Sequence, residues 1–144
     1  MKNYYKLPIP AEEIIHGKKV PTVNLEESIR QMIYLICSTA YKEYMFDERF
    51  GSVIWEMDFD NIFNVHLLRS ELETSLTQAI KLYEKRVNLE SLQIIIKQFD
   101  FNYKGLKTKV KLGINFKLKI KATDKIIEHV EEFFIGPLSY TWKN

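Results

Sequence analysis

Cysteine is nearly absent: Cys37 is the one thiol in the chain. No disulfide can therefore close within it, which fits a reducing, cytoplasmic setting. Glycine is scarce as well. The five glycines are scattered, with no Walker loop and no GxGxxG, so nothing cradles a phosphate or a nucleotide cofactor. The Gly-x-Ser-x-Gly elbow of serine hydrolases is missing too. Long apolar runs are lacking: the longest, Met32 to Cys37, has six residues, far short of the ~20 that a membrane-spanning helix needs. No apolar stretch follows Met1-Lys2-Asn3-Tyr4-Tyr5-Lys6, so no secretory signal is visible. Charge of one sign is weak, at net +2. Nucleic-acid-binding domains usually show a more extreme, clustered basic face. His16, His66 and His129 stand far apart without HxH, HExxH or CxxC spacing, so no metal-ligand set is legible.

What is present describes one α+β domain over 1–144. Hydrophobic residues make up 46% and charged residues 28% of the 144, enough for a real core. Residues 1–23 hold Pro8, Pro10, Pro21 and a Gly17-Lys18-Lys19 turn. They predict an irregular N-terminal arm, either a loose terminus or a segment that docks on a partner. The core follows over 24–144. Asn24 with Glu27 three residues on forms a helix-capping signal, and Ile29, Met32, Ile33, Ile36, Cys37 and Ala40 recur at helical spacing. The first helix is expected over Leu25–Tyr44. A second, over Val65–Glu84, carries Leu68, Leu72, Leu76, Ala79, Ile80 and Tyr83 on its buried stripe. The period then changes to two. Val110, Leu112, Ile114, Phe116, Leu118 and Ile120 alternate with polar residues in a strand over Lys109–Ala122. Ser91–Phe101 is its expected antiparallel partner, joined around Lys104-Gly105, and Ile126–Trp142 holds at least one more strand. Either the Lys109–Ala122 strand or the Phe133–Trp142 tail is expected at an open sheet edge, where another chain can pair.

Candidate chemistry is thin. Cleavage of a glycan needs two carboxyl groups about 5–10 Å apart, one of them with a raised pKa. Glu48, Glu56, Asp58 and Asp60 are available, but nothing marks a pair, and no catalytic residue is assigned. Cys37 lies on the buried stripe and is expected to be structural, not a nucleophile. Lys109, Lys111, Lys117, Lys119 and Lys121 share one strand face. That face is either solvated, with lysines discouraging stray pairing, or a basic patch for an acidic partner or a phosphate backbone. It lacks the interleaved aromatics of single-strand nucleic-acid binders.

Two short segments carry a resemblance. Glu48-Arg49-Phe50-Gly51 with Trp55 downstream follows the first helix, and Tyr83-Glu84-Lys85-Arg86-Val87 ends the second. In order and spacing over about residues 25–122 they resemble the baseplate wedge protein 25 family of contractile phage tails, whose type VI secretion member is TssE. That family has a Glu-Arg/Phe-Gly turn and then a Glu-Pro-Arg signature. Lys85 replaces the proline here, so contacts other than a fixed proline φ must hold the bend.

The resemblance implies an α+β fold of two main helices on an antiparallel sheet, similar to the interlocking domain of contractile sheath proteins. It also implies a structural role, with no cofactor, metal or enzymatic activity. The protein would link the core bundle of the baseplate wedge to the first sheath ring and start sheath assembly, in a secretion machine or in a phage tail. Wedge proteins and the sheath protein would be its partners, with neither nucleic acid nor membrane insertion involved. Glu84, Lys85 and Arg86, with Glu48 and Arg49, are the implied partner-binding residues. An internal salt bridge anchoring the helix-to-strand turn, perhaps with Glu48 or Arg49, is the competing reading of Glu84 and Arg86. Some family members were once labelled lysozymes, so a small peptidoglycan hydrolase is the alternative from the enzyme class.

Overall fold

Asn24 starts the first helix as its spacing predicts. The computed structural model of the chain describes residues 3–7, 12, 15–17, 21–56, 65–103 and 106–135. In it the Asn24 Oδ1 accepts the Glu27 N–H at 2.8 Å, satisfying one orphan donor of the first turn. Glu26 and Glu27 place negative charge at that positive helix end. The helix, α1, runs Leu25–Ser38 and buries Ile29, Ile33, Ile36 and Cys37. It stops short of the expected Tyr44 because the chain behind it returns to its end. Thr39 is extended, and its carbonyl accepts the Ser52 N–H at 2.9 Å. Ala40 and Ser52 form a parallel bridge. Tertiary hydrogen bonds thus replace the next helical ones.

A short 3-10 turn at Val53–Glu56 leads towards α2, Val65–Tyr83. Its stripe is buried at Leu72, Leu76, Ala79 and Ile80. Three strands follow: β3 at Val87–Tyr103, β4 at Leu106–Ile120 and β5 at Ile126–Ile135. Both neighbours of β4 are antiparallel to it, in the order β3-β4-β5. The Lys104-Gly105 turn lies outside the described residues. A shift in register between Leu89 and Ser91 makes a bulge near the start of β3.

The period-two reading of β4 holds residue by residue. Val110, Leu112, Ile114, Phe116, Leu118 and Ile120 are all buried against the helices. Each such side chain contributes about 1.5–3 kcal/mol relative to exposure. The opposite face shows Lys111, Lys117 and Lys119, and β5 sets acids beside them. Lys111 pairs with Glu132 at 3.5 Å, and Lys117 lies opposite Glu128 in the register. These lysines therefore sit on a charge-balanced sheet face.

The expected edge at Lys109–Ala122 is corrected: β4 is the central strand, with partners on both sides, and β3 and β5 form the edges. From the expected tail strand, Phe133–Ile135 belongs to β5, while residues 136–142 lie outside the described residues. The N-terminal arm contributes a two-residue ribbon, with β1 at Tyr4–Tyr5 pairing β2 at Thr22–Val23. The whole is an α+β arrangement with two helices on an antiparallel sheet and no closed barrel among the described residues.

Candidate functional site

The Glu84–Arg86 turn is built from the end of α2. The Glu84 N–H still donates to the Ile80 carbonyl at 2.8 Å, so its side chain is set by the helix that precedes it. That side chain is almost wholly buried, at 2% exposed. A buried carboxylate needs a cation and filled lone pairs, and Arg86 supplies both. Its Nε and Nη2 donate to Glu84 Oε1 and Oε2 at 2.8 and 2.7 Å, a two-pronged pair. The Arg86 backbone N–H adds a third bond to Oε1 at 3.2 Å. Nη1 reaches the Ser28 hydroxyl on α1 at 2.9 Å, and the Arg86 carbonyl accepts from the Lys121 N–H at 2.9 Å. The bend that a proline would fix is therefore held by the Glu84 carboxylate and by the end of β4. Hydrogen bonding to Glu84 also keeps the Arg86 guanidinium more firmly protonated than usual, against the opposing effect of burial. Lys85, at the apex, is exposed.

The second motif segment serves the end of α1. Gly51 has φ +133°, and a Cβ there would come within 2.5 Å of the Thr39 carbonyl oxygen. Only glycine lets the returning chain approach so closely. Beyond it, Ser52 Oγ and Trp55 Nε1 both donate to the Cys37 carbonyl, at 3.0 and 2.9 Å. Asp47 accepts from the Arg49 N–H at 2.9 Å and from the Tyr83 hydroxyl at 2.7 Å. Those bonds, the Tyr83 one foremost, hold its carboxyl below the ordinary range. Tyr83 also meets Phe50 edge-on, with ring centroids 5.0 Å apart. The two motif segments thus meet at Tyr83.

Their charged residues do not meet. Among the described residues, no ion pair joins Glu84 or Arg86 to Glu48 or Arg49. Glu48 and Arg49 are exposed and border a shallow pocket with Tyr41, Gln78 and Leu82. Sequence reasoning missed Ser28 and Tyr4, whose ring lies 5.1 Å from the Arg86 guanidinium carbon; both reach Arg86 from far along the chain. It also missed a polar cluster on the inward face of β5. Arg30 Nη1 donates to the Glu128 carbonyl at 2.7 Å and lies 3.2 Å from His129 Nδ1. With arginine a donor only, His129 Nε2 carries the proton and donates to Glu131 at 2.6 Å. Strand alternation, which puts His129 and Glu131 on the same face as Ile127, was the available signal.

Of the acids considered for glycan cleavage, Glu48 and Glu56 are exposed, and Asp58 and Asp60 lie outside the described residues. Burial pushes the Cys37 thiol far up, with Glu131 adding to it. Among the described residues, no group of three or more His, Cys, Asp or Glu could hold a metal ion. No helix there is long and apolar enough to cross a membrane.

The family described as baseplate wedge protein gp25 matches residues 23–123. No curated protein matches the chain. A crystal structure from Geobacter sulfurreducens, which carries the name tail lysozyme, has the same fold. Its TM-score is 0.59 at 23% identity, over 78% of this chain and 93% of that one.

Proposed function

The chain belongs to the baseplate wedge protein gp25 family, and we propose on that ground that it is a non-enzymatic baseplate component of a cytoplasmically assembled contractile injection machine. It joins the wedge core bundle to the first sheath ring and starts sheath assembly, as TssE does in type VI secretion; a phage tail baseplate is the alternative setting. Sheath and wedge genes of one or the other type beside this one would decide between them.

The observation that carries the reading is a guanidinium held in place from behind. Glu84 occupies its Nε–Nη2 edge, Arg86 itself is 30% exposed, and Lys85 stands at the apex of the turn. The two N–H groups that Glu84 and Ser28 leave, one each on Nη1 and Nη2, suit a carboxylate or a helix-end carbonyl on the wedge bundle. Glu48 and Arg49 belong to the same proposal as a second contact, on the far side of Tyr83. The β5 edge is offered to the sheath, with Val130 and Phe134 exposed along it.

Arg86→Lys is the test. Lysine keeps a charge beside Glu84 but cannot make the forked contact. Capture of the wedge proteins is expected to fall about ten-fold or more, as for an interface hot spot, while the melting temperature falls less than in Arg86→Ala because the charge beside Glu84 is kept. Equal capture by Arg86→Lys and wild type removes this turn as the docking site. Catalysis is tested separately: purified protein should clear peptidoglycan no faster than a Glu48→Gln control. Sustained turnover abolished by changing one carboxylate would establish a hydrolase.

A further inference from the structure

The guanidinium of Arg86 also packs against this chain's own N-terminal segment. Its carbon sits over the Tyr4 ring, 5.1 Å from the centroid. The ring is brought there by β1, in which Tyr4 is half-buried while its neighbour Tyr5 is 63% exposed. Alternation along a strand turns one inward and the other outward. Gln31 on α1 clamps the segment: its Oε1 accepts the Leu7 N–H at 2.9 Å and its Nε2 donates to the Tyr5 carbonyl at 3.3 Å. Lys6 N–H donates to the Pro21 carbonyl at 3.0 Å.

Among the described residues these attachments are few. The ladder between β1 and β2 has two residue pairs, and a ribbon that short is marginal without its packing. Segments held in this way open at far lower free energy than a core does. The Glu84 and Ser28 bonds to Arg86 do not involve the arm, so the fork keeps its orientation when Tyr4 leaves. The arm also lies almost wholly outside the family-matched span, 23–123.

We infer that the segment around Tyr4 is a built-in occupant of the docking surface at Arg86, displaced when a partner acceptor group engages the guanidinium. The partner meant is the wedge complex of the proposed function, on which the inference rests. It makes the free protein a weaker binder than its own surface allows, and it confines full affinity to partners that can compete with Tyr4.

Two full-length variants test it without altering Arg86. Tyr4→Ala removes the cover, and Gln31→Ala unclamps the arm while leaving the ring in the chain. The first measurement needs no partner: the rate at which phenylglyoxal modifies Arg86, read by peptide mass mapping. Both variants should react about two- to five-fold faster than wild type, the equivalent of one partly exposed cation–π contact. Purified wedge complex should then bind both variants tighter by a similar factor. Unchanged Arg86 reactivity in both variants would overturn the inference, since the arm would then not cover the guanidinium. Faster modification with weaker wedge binding would also overturn it, by making Tyr4 part of the contact. The Arg86→Lys result judges the docking site itself, whereas the modification rates judge the cover alone.

Discussion

The two helices end in contrasting ways. Behind α1, the segment 39–55 returns to cap the helix, and the fit depends on shape: a glycine against a backbone oxygen and two neutral donors on one carbonyl. Behind α2, three residues suffice, and the fit depends on charge: a buried carboxylate gripped by the arginine two positions on. A shape-fitted end fails by collision or by an unfilled carbonyl. A charge-fitted end fails by stranding an ion away from water. Both ends flank Tyr83, so each can be perturbed while the other serves as control.

The harshest expected change is at the shape-fitted end. Gly51→Ala adds a Cβ against the Thr39 oxygen at a left-handed φ, and the combined strain and overpacking should cost about 4 kcal/mol in urea unfolding. A midpoint shift of well under half that size would show that the 39–52 segment relaxes freely. Next comes the charge-fitted end. Arg86→Ala leaves Glu84 buried without its cation, and about 3 kcal/mol should be lost. Adding Glu84→Gln to Arg86→Ala should restore part of that loss, because an amide tolerates burial better than an unpaired carboxylate. No recovery in the double variant would mean that lost packing, not the stranded charge, dominates.

A smaller effect is expected from Trp55→Phe, about 1 kcal/mol, since Ser52 still serves the Cys37 carbonyl. Combined with Ser52→Ala, the loss should exceed the sum of the two single changes, because the second deletion removes the remaining side-chain donor. Simple additivity in thermal melts would show that water replaces both.

The mildest change, Tyr83→Phe, should be visible through its pH dependence. Asp47 has a lowered folded pKa, so its bond contributes above the ordinary carboxylate range and is lost as pH falls through the lowered value. Tyr83 has a raised folded pKa, through burial first and then Asp47. Its contribution is full below the ordinary phenol value and is lost as pH rises through the raised one. The stability gap between wild type and Tyr83→Phe should therefore be widest around neutral pH and close at both extremes. A gap that stays constant from about pH 2 to about pH 12 would show that the Tyr83–Asp47 bond adds nothing.

The same contrast marks how far the sequence could be read. The helical stripe of α1, the alternation of β4 and the Asn24 cap are local patterns, and they appear where local physics puts them. The end of α1 is not local: apolar residues continue past Ser38 to Tyr41 and Tyr44, while the donors that halt the helix come from Ser52 and Trp55. Glu84 and Arg86 stood out by resemblance, and their mutual pairing needs a tight turn that two residues of spacing cannot declare. Ser28 lies 58 positions from Arg86, and no periodic signal links them. Strand order was equally silent: alternation tells which face of β4 is buried, not that strands flank it on both sides.

Cys37 turns this architecture into its own gauge. The thiol is fully enclosed, its ionisation is suppressed, and no other sulfhydryl competes for reagent. A thiolate-directed dye can therefore reach it only while the layer between α1 and the sheet is parted. The labelling half-life of the native protein is then a clock for that parting. Run on each variant above, it would distinguish substitutions that loosen only a turn from those that loosen the interior beneath it.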